Sequence, residues 1–335
     1  MPVISIIIPF YNTEPEYYEK SFGCLRGLSE EAAEVLVVDD GSSDAVYQAM
    51  KDHLDSELPT AKLFRRKNGG QNAARRYGID QATGSYVLFL DSDDYVDAGL
   101  VLELCAFLET RNPDVVAFNY DIVSPEGETL DRCSIWDSGF SKADPRKLAL
   151  ASDSLCRQCY SLESLRALDY GLVQGINIGE DLSSALSINL ALRDCWSFGG
   201  VLYHYVKRPT SIIHKTPNTS IYDIFSAFDE VIARCGPDYY GCRFEVEWMA
   251  IQHCLGWNSM RLLRAGVSPR EAREFTFSWM RDRFPGWERN MYIRSSPMKK
   301  KPWFRLVLSG HWGMLGFALR LWDGFKIVIR GTQND

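Results

Sequence analysis

The chain has 335 residues, 46% of them hydrophobic and 13% aromatic, enough for one large domain or for a main domain with a smaller appendage. Its net charge of −7 argues against a nucleic-acid-binding surface. The nine cysteines follow no disulfide framework; Cys156 and Cys159 make one C-x-x-C with no second pair at zinc-ribbon spacing, so reduced, partly buried thiols of a cytoplasmic protein are expected.

The opening stretch "MPVISIIIPFYN" lacks a basic n-region and a cleavage site, so no signal peptide is expected, and its apolar run is too short to span a bilayer. Within it, "VISIII" (3–8) reads as a buried strand, and residues 15–27 read as a helix. "EVLVVDD" (34–40) is a second strand ending in carboxylates, followed by a helix over 44–54. "AKLFRR" (61–66) reads as a strand, 70–82 as a helix, "SYVLFL" (85–90) as a fourth strand, 98–110 as a helix and "DVVAFNY" (114–120) as another strand. Alternation of strand and helix with continuous apolar strands predicts a parallel sheet covered on both faces. Beyond it come shorter elements: helices near 144–151 and 181–192, and strands near 196–206. From about 220 the pattern is helical, and a soft boundary falls near 215.

Ligands of such sheets bind at the carboxyl ends of the strands. Three strands end there in notable residues: "PFYN" at 9–12, Asp39–Asp40, and Asp91, Ser92, Asp93 and Asp94 after "VLFL". Like charges this close repel, and burying them is costly without compensation. A hard divalent cation, Mg²⁺ or Mn²⁺, removes that repulsion and commonly bridges carboxylates to substrate phosphates. The plainer alternative has Asp93 or Asp94 capping the helix that follows, which accounts for one carboxylate but not three. No P-loop signature is present. "LDSDDYV" also resembles the phosphatase motif of haloacid dehalogenases, with Asp91 as nucleophile, although Tyr95 stands where that motif has Thr or Val.

"SIIIPFYN", "VLVVDDGSSD", "NGGQNAARRYGIDQATGSYVLFLDSDD", "GED" and "YHYVKRPTSI" occur in the order seen in family 2 glycosyltransferases, and over about the first 215 residues the chain resembles that family. The resemblance implies a GT-A fold, a mostly parallel α/β sheet flanked by helices with a helical C-terminal region. It implies an inverting transfer from a nucleotide sugar, a UDP-sugar, to a saccharide acceptor, assisted by Mn²⁺ or Mg²⁺. Pro9, Tyr11 and Asn12 would border the base, Asp40 would accept a hydrogen bond from it, and Gly41 would let the backbone turn closely. Asn68 and Arg75 would reach the base and diphosphate. Asp91, with Ser92, would contact the ribose, and Asp91 and Asp93 would hold the metal; the pattern leaves open whether Asp93 or Asp94 is the closer ligand. Asp181 matches the general base, beside Glu180, which can favour the helix start. In "YHYVKRPTSI" Val206 stands where the family commonly has Arg, so Lys207, Arg208 or Ser211 would have to contact the phosphates. His204 and His214 are candidate extra ligands, although single histidines near a strand more often pack. A phosphatase acting through Asp91 and a non-catalytic nucleotide-sugar sensor are the alternatives.

Residues 294–335 carry eight Lys or Arg against Asp323 and Asp335, a net +6 against −13 for the rest. Trp303, Phe304, Trp312, Phe317, Trp322 and Phe325 are interleaved with these charges. Two readings stand side by side: an interfacial amphipathic segment on the inner face of the cytoplasmic membrane, and a C-terminal helix packed on its own domain. The first makes a polyprenyl-diphosphate-linked acceptor natural, as in capsule, lipopolysaccharide or cell-wall assembly.

Overall fold

The structure, a computed structural model, describes residues 1–208, 218–236 and 239–331. It divides into two compact units, one of residues 1–175 and 180–215, the other of 176–179 and 216–335.

The first unit begins β1 (Ile4–Phe10), α1 (Pro15–Gly23), β2 (Ala33–Asp39), α2 (Asp44–Glu57), β3 (Lys62–Arg65), α3 (Gln71–Gln81) and β4 (Tyr86–Phe89). It continues with β5 (Tyr95–Val96), α4 (Ala98–Arg111), β6 (Val115–Val123), β7 (Thr129–Cys133), β8 (Phe140–Lys142) and α5 (Pro145–Leu150). β9 (Gln158–Ser161), α6 (Leu162–Ala167), α7 (Glu180–Ala191) and β10 (Cys195–Val206) complete it. Every residue of β1 and β2 is buried, as strands covered on both faces require. The strand order is β3-β2-β1-β4-β9-β6-β10-β5, with β7 on β6 and β8 on β10.

The sheet is not uniformly parallel. β1, β2, β3 and β4 run parallel, as do β6 and β10, but β9 lies antiparallel between β4 and β6. β5 and β8 are antiparallel to β10, and β7 to β6. The expected strands near 196–206 are one twelve-residue strand with irregular register between Phe198 and Tyr203. Its kink admits no side chain at Gly199, where a Cβ would lie 2.0 Å from the Asp137 carbonyl oxygen.

The caps settle the plainer alternative for the acidic run. α4 is capped by Asp97, whose carboxylate accepts from the Leu100 amide at 2.9 Å, so neither Asp93 nor Asp94 does that work. α2 is capped by Ser43, while Asp44 pairs with Arg65 at 2.8 Å.

The second unit is helical: α8 (Asp223–Cys235), α9 (Arg243–Ala250), a π turn at Ile251–Trp257 leading into α10 (Asn258–Arg264), α11 (Pro269–Arg283), α12 (Met291–Ser295), α13 (Pro302–Leu308) and α14 (Trp312–Gly331). Its core holds Phe228, Val246, Leu255, Leu262, Met280 and Phe304. Residues 176–179 join it because the Asn177 amide donates to Asp223 at 2.8 Å. The tail packs in part: Phe304, Val307, Trp312 and Leu315 are buried, whereas Met314, Phe317, Leu321 and Trp322 are exposed. Among the described residues no helix is long and apolar enough to cross a membrane.

Candidate active site

The loops after β1, β2 and β4 meet through their polar side chains. The Asn12 amide donates to Ser42 Oγ at 2.9 Å, the Ser43 amide donates to Asn12 Oδ1 at 3.2 Å, and the Thr13 and Ser92 hydroxyls lie 2.8 Å apart. Asn12 takes a left-handed φ of 46°, which Asn tolerates better than most residues. Gly41, at φ 80°, turns where a Cβ would stand 2.8 Å from the Asn68 amide nitrogen. Tyr11 is exposed, whereas Pro9 is buried within β1 opposite Val38.

Asp40 is almost wholly occupied by the loop that follows β3. It accepts from the Gly70 amide at 2.7 Å and the Gly69 amide at 3.1 Å, and it pairs with Arg66. These bonds fold residues 66–70 back over the end of β2 and leave Asn68 exposed.

The centre of the site is Arg75. Its side chain is fully buried, and its guanidinium spans two carboxylates, Asp91 at 2.9 Å and Asp181. The same group donates to Asn72 Oδ1 at 2.9 Å. Burial alone would lower its pKa, but Asp181 and Asp91 together hold it well above the usual arginine value. Asn72 fixes the other side. Its amide donates to the Val173 carbonyl at 2.7 Å and to Ser184 Oγ at 3.1 Å, and Ser184 in turn donates to the Glu180 carbonyl at 2.6 Å. One turn of α3 thus holds the start of α7, and with it Asp181, over the end of β4. Gln71 adds a further donor to Asp91 at 2.7 Å.

The three carboxylates after β4 are answered separately. Asp91 has Arg75 and Gln71. Asp93 pairs with Arg208, whose guanidinium also lies 4.5 Å from the centre of the Tyr17 ring. Asp94 is buried and accepts from the Tyr203 hydroxyl at 2.5 Å and the Val206 amide at 2.8 Å. Asp94 is therefore consumed in tying the β4 loop to β10, and Asp93 is the more accessible of the two. Burial raises Asp93 against the pull of Arg208; burial and then Asp93 and Asp91 raise Asp94 much further. Burial also raises Asp181, opposed by Arg75. Glu180, pushed up by burial and by Asp181, reaches about 7.

Among the described residues no three acidic, His or Cys side chains converge as a metal-ligand set. Asp91 and Asp93, each paired with an arginine, supply the oxygen donors that a hard cation prefers when its remaining ligands come from a diphosphate and water. His204 stacks on Tyr95 with centroids 4.5 Å apart, a packing role. Ser211 and His214 lie outside the described residues, so Lys207 and Arg208 are the described candidates for a phosphate contact, and Arg208 is the one paired with Asp93.

Asn72, Gln71 and Tyr203 are the positioning residues that sequence reasoning did not single out. Gln71 and Asn72 stand inside the quoted "NGGQNAARR", one and two residues after its glycines, and Tyr203 opens the quoted "YHYVKRPTSI"; those placements were the available signal.

Comparison with known proteins bears on the family and the fold. Residues 5–163 match glycosyl transferase family 2. The chain is 32% identical over 130 residues to an uncharacterized glycosyltransferase of Haemophilus influenzae, covering 39% of this chain and 52% of that protein. It is 30% identical over 129 residues to the poly(ribitol-phosphate) beta-N-acetylglucosaminyltransferase TarS of Staphylococcus aureus, covering 38% of this chain and 22% of TarS. The chain thus spans about half the length, or less, of these curated relatives. In fold it is similar to the crystal structure of S. aureus TarS 1–349 in complex with UDP-GlcNAc, with a TM-score of 0.69, 17% identity, and coverage of 96% of this chain and 91% of that one. Residues 5–163, with the sheet described above, belong to glycosyl transferase family 2 and have the GT-A fold.

Proposed function

We propose that the chain transfers a glycosyl group from a UDP-sugar to a saccharide hydroxyl, with inversion at the anomeric carbon. One observation carries this reading: a single buried guanidinium, Arg75, holds the donor-side carboxylate Asp91 and the candidate base Asp181 in one site.

The acceptor hydroxyl gives its proton to Asp181 as its oxygen forms the new bond to the anomeric carbon. The bond from that carbon to the diphosphate breaks on the opposite face, and its electron pair leaves with the nucleoside diphosphate. Arg75 keeps Asp181 oriented, and burial keeps the carboxyl basic enough to take the proton. Tyr11 offers an exposed ring to the base, with Asn12 and the loop that Asp40 folds beside it. Arg208 is the cation that meets the diphosphate. Asp91 and Asp93 would hold Mn²⁺ or Mg²⁺, which would neutralise the charge of the leaving group. The acceptor is lipid-linked and met at the inner face of the cytoplasmic membrane, a reading supported by the basic, aromatic C-terminal region.

A panel of nucleotide sugars, supplied with Mn²⁺ and read by released nucleoside diphosphate, tests the proposal. Release from one or a few UDP-sugars is expected. No release from any donor, together with no UDP binding, overturns it.

A further inference from the structure

We infer that the second unit carries a docking surface for an anionic phospholipid leaflet, built from the outward stripe of α14 and an arginine-lined cleft where that helix begins. The inference rests on the membrane part of the function proposed above and not on the chemistry at Asp181.

α14 is apolar on two opposite faces. Trp312 and Leu315 are buried, and at Gly316 a Cβ would lie 3.7 Å from Pro269, so this face packs on its own unit. Met314, Phe317 and Leu321 follow at i, i+3 and i+7 on the other face and are 60%, 66% and 61% exposed. A surface helix ordinarily turns charged residues outward. Here the outward stripe is three large apolar side chains, the kind of patch that marks an interaction surface.

The cleft at the N-terminal end of α14 has a volume of about 310 Å³. α11 lines it with Arg273, Phe277 and Arg281, one helical turn apart in succession, and the turn between α13 and α14 adds Ser309 and Gly310. Glu274 also lines it, 4.0 Å from Arg273. Arg281 is exposed and has no acidic partner among the described residues. Lys299, Lys300 and Lys301 are exposed on the turn before α13.

An apolar stripe on a unit that also exposes Arg281, Lys299, Lys300 and Lys301 suits a lipid interface, where the stripe enters the acyl boundary and the cations meet phosphate headgroups. A second copy of the chain fits less well, because a two-fold contact on this face sets the same basic residues against themselves. Residues 294–335 carry +6 against −13 for the rest, so an anionic leaflet attracts this region and repels the remainder.

The test is co-sedimentation of the full chain with vesicles of phosphatidylcholine alone and of phosphatidylcholine mixed with phosphatidylglycerol, at low and high salt. Binding to the mixed vesicles at low salt, weakening as salt rises, is expected. Replacing Met314, Phe317 and Leu321 together by Ser should lower that binding about tenfold or more at every salt concentration. Arg273→Gln with Arg281→Gln should lower it by up to about 25-fold at low salt, because each cation near the surface contributes about fivefold, and should flatten the salt dependence. UDP binding and donor hydrolysis should be unchanged in both variants, since no substituted residue belongs to the first unit. The inference is overturned by no sedimentation at low salt, by equal binding to neutral vesicles, or by a dimer that the serine variant converts to monomer. Vesicle binding without nucleotide-sugar turnover would refute the transferase reading alone.

Discussion

Asp181→Asn isolates the proposed base. Asn has nearly the same shape, and its amide oxygen still accepts from Arg75, so Arg75 keeps its bond to Asn72 and its pairing with Asp91 at 2.9 Å. What disappears is the negative charge and the proton-accepting site. Loss of a positioned base costs about 10²–10⁴ in rate, or about 2.7–5.4 kcal/mol on the barrier at about 1.36 kcal/mol per decade. UDP affinity should move by less than about threefold, because the loops that carry Tyr11, Asp40 and Asp91 keep their hydrogen bonds. The wild-type rate should also fall on the acid side at a pH above the ordinary carboxylate range. The carboxyl works only when deprotonated, and burial raises the pH at which it loses its proton. Nucleoside diphosphate release measures transfer, and titration calorimetry measures UDP binding. Glu180→Gln is the control: its carboxyl, raised to about 7, stands one residue away. Transfer within about threefold of wild type in Asp181→Asn, or a large loss confined to Glu180→Gln, would refute the reasoning.

Chelator should abolish transfer, and Mn²⁺ or Mg²⁺ should restore it, with Asp93→Ala weakening metal-dependent UDP binding; full turnover by protein confirmed metal-free removes the metal from the mechanism. Arg75→Met should cost up to about 3–5 kcal/mol in urea unfolding, because the half-buried Asp91 and Asp181 lose the buried cation they share. Glu34 accepts from Ser5, Thr83 and Lys62, and although burial opposes it, these bonds hold its carboxyl near 2. Its contribution, up to about 3 kcal/mol, is present above the ordinary carboxylate pKa and lost as pH falls toward 2; acid unfolding of Glu34→Gln should lack that slope.

The parallel half of the sheet was legible because its strands are β-branched runs with a two-sided burial signature. β1, β2 and β4 lie within one or two residues of "VISIII", "EVLVVDD" and "SYVLFL". β9 was not legible. "QCYS" has four residues, one aromatic and no β-branched member, and it becomes a strand only because β4 and β6 offer it two open edges. Its antiparallel insertion is what turns an expected parallel sheet into a mixed one. The short segment 176–179 was equally silent: nothing in "INIG" announces that Asn177 will bond to Asp223, forty-six residues away. Local pattern carries propensity, whereas such long-range pairings are decided by which donors and acceptors remain unsatisfied after the sheet has formed.

The carboxylates after β4 show the same division at the site. The sequence exposes the problem, three like charges in four residues, and a divalent cation is one physical answer to it. The structure adds answers that spacing cannot reveal, because each comes from a different stretch of chain. Arg75 of α3 neutralises Asp91, Arg208 after β10 neutralises Asp93, and Asp94 spends its charge on the Tyr203 hydroxyl and the Val206 amide. Val206 is the position where family resemblance led us to expect an arginine. Its backbone amide is bound to Asp94, and the arginine that reaches the acidic loop stands two residues later. In this chain the cation at Asp93 is Arg208. Arg208→Ala should therefore weaken UDP binding about tenfold or more, as the loss of a charge-assisted contact to a diphosphate does, while Lys207→Ala should leave it near wild type. Titration of the two variants with UDP decides between the positions, and the reverse ranking would show that the departure at Val206 was compensated by Lys207.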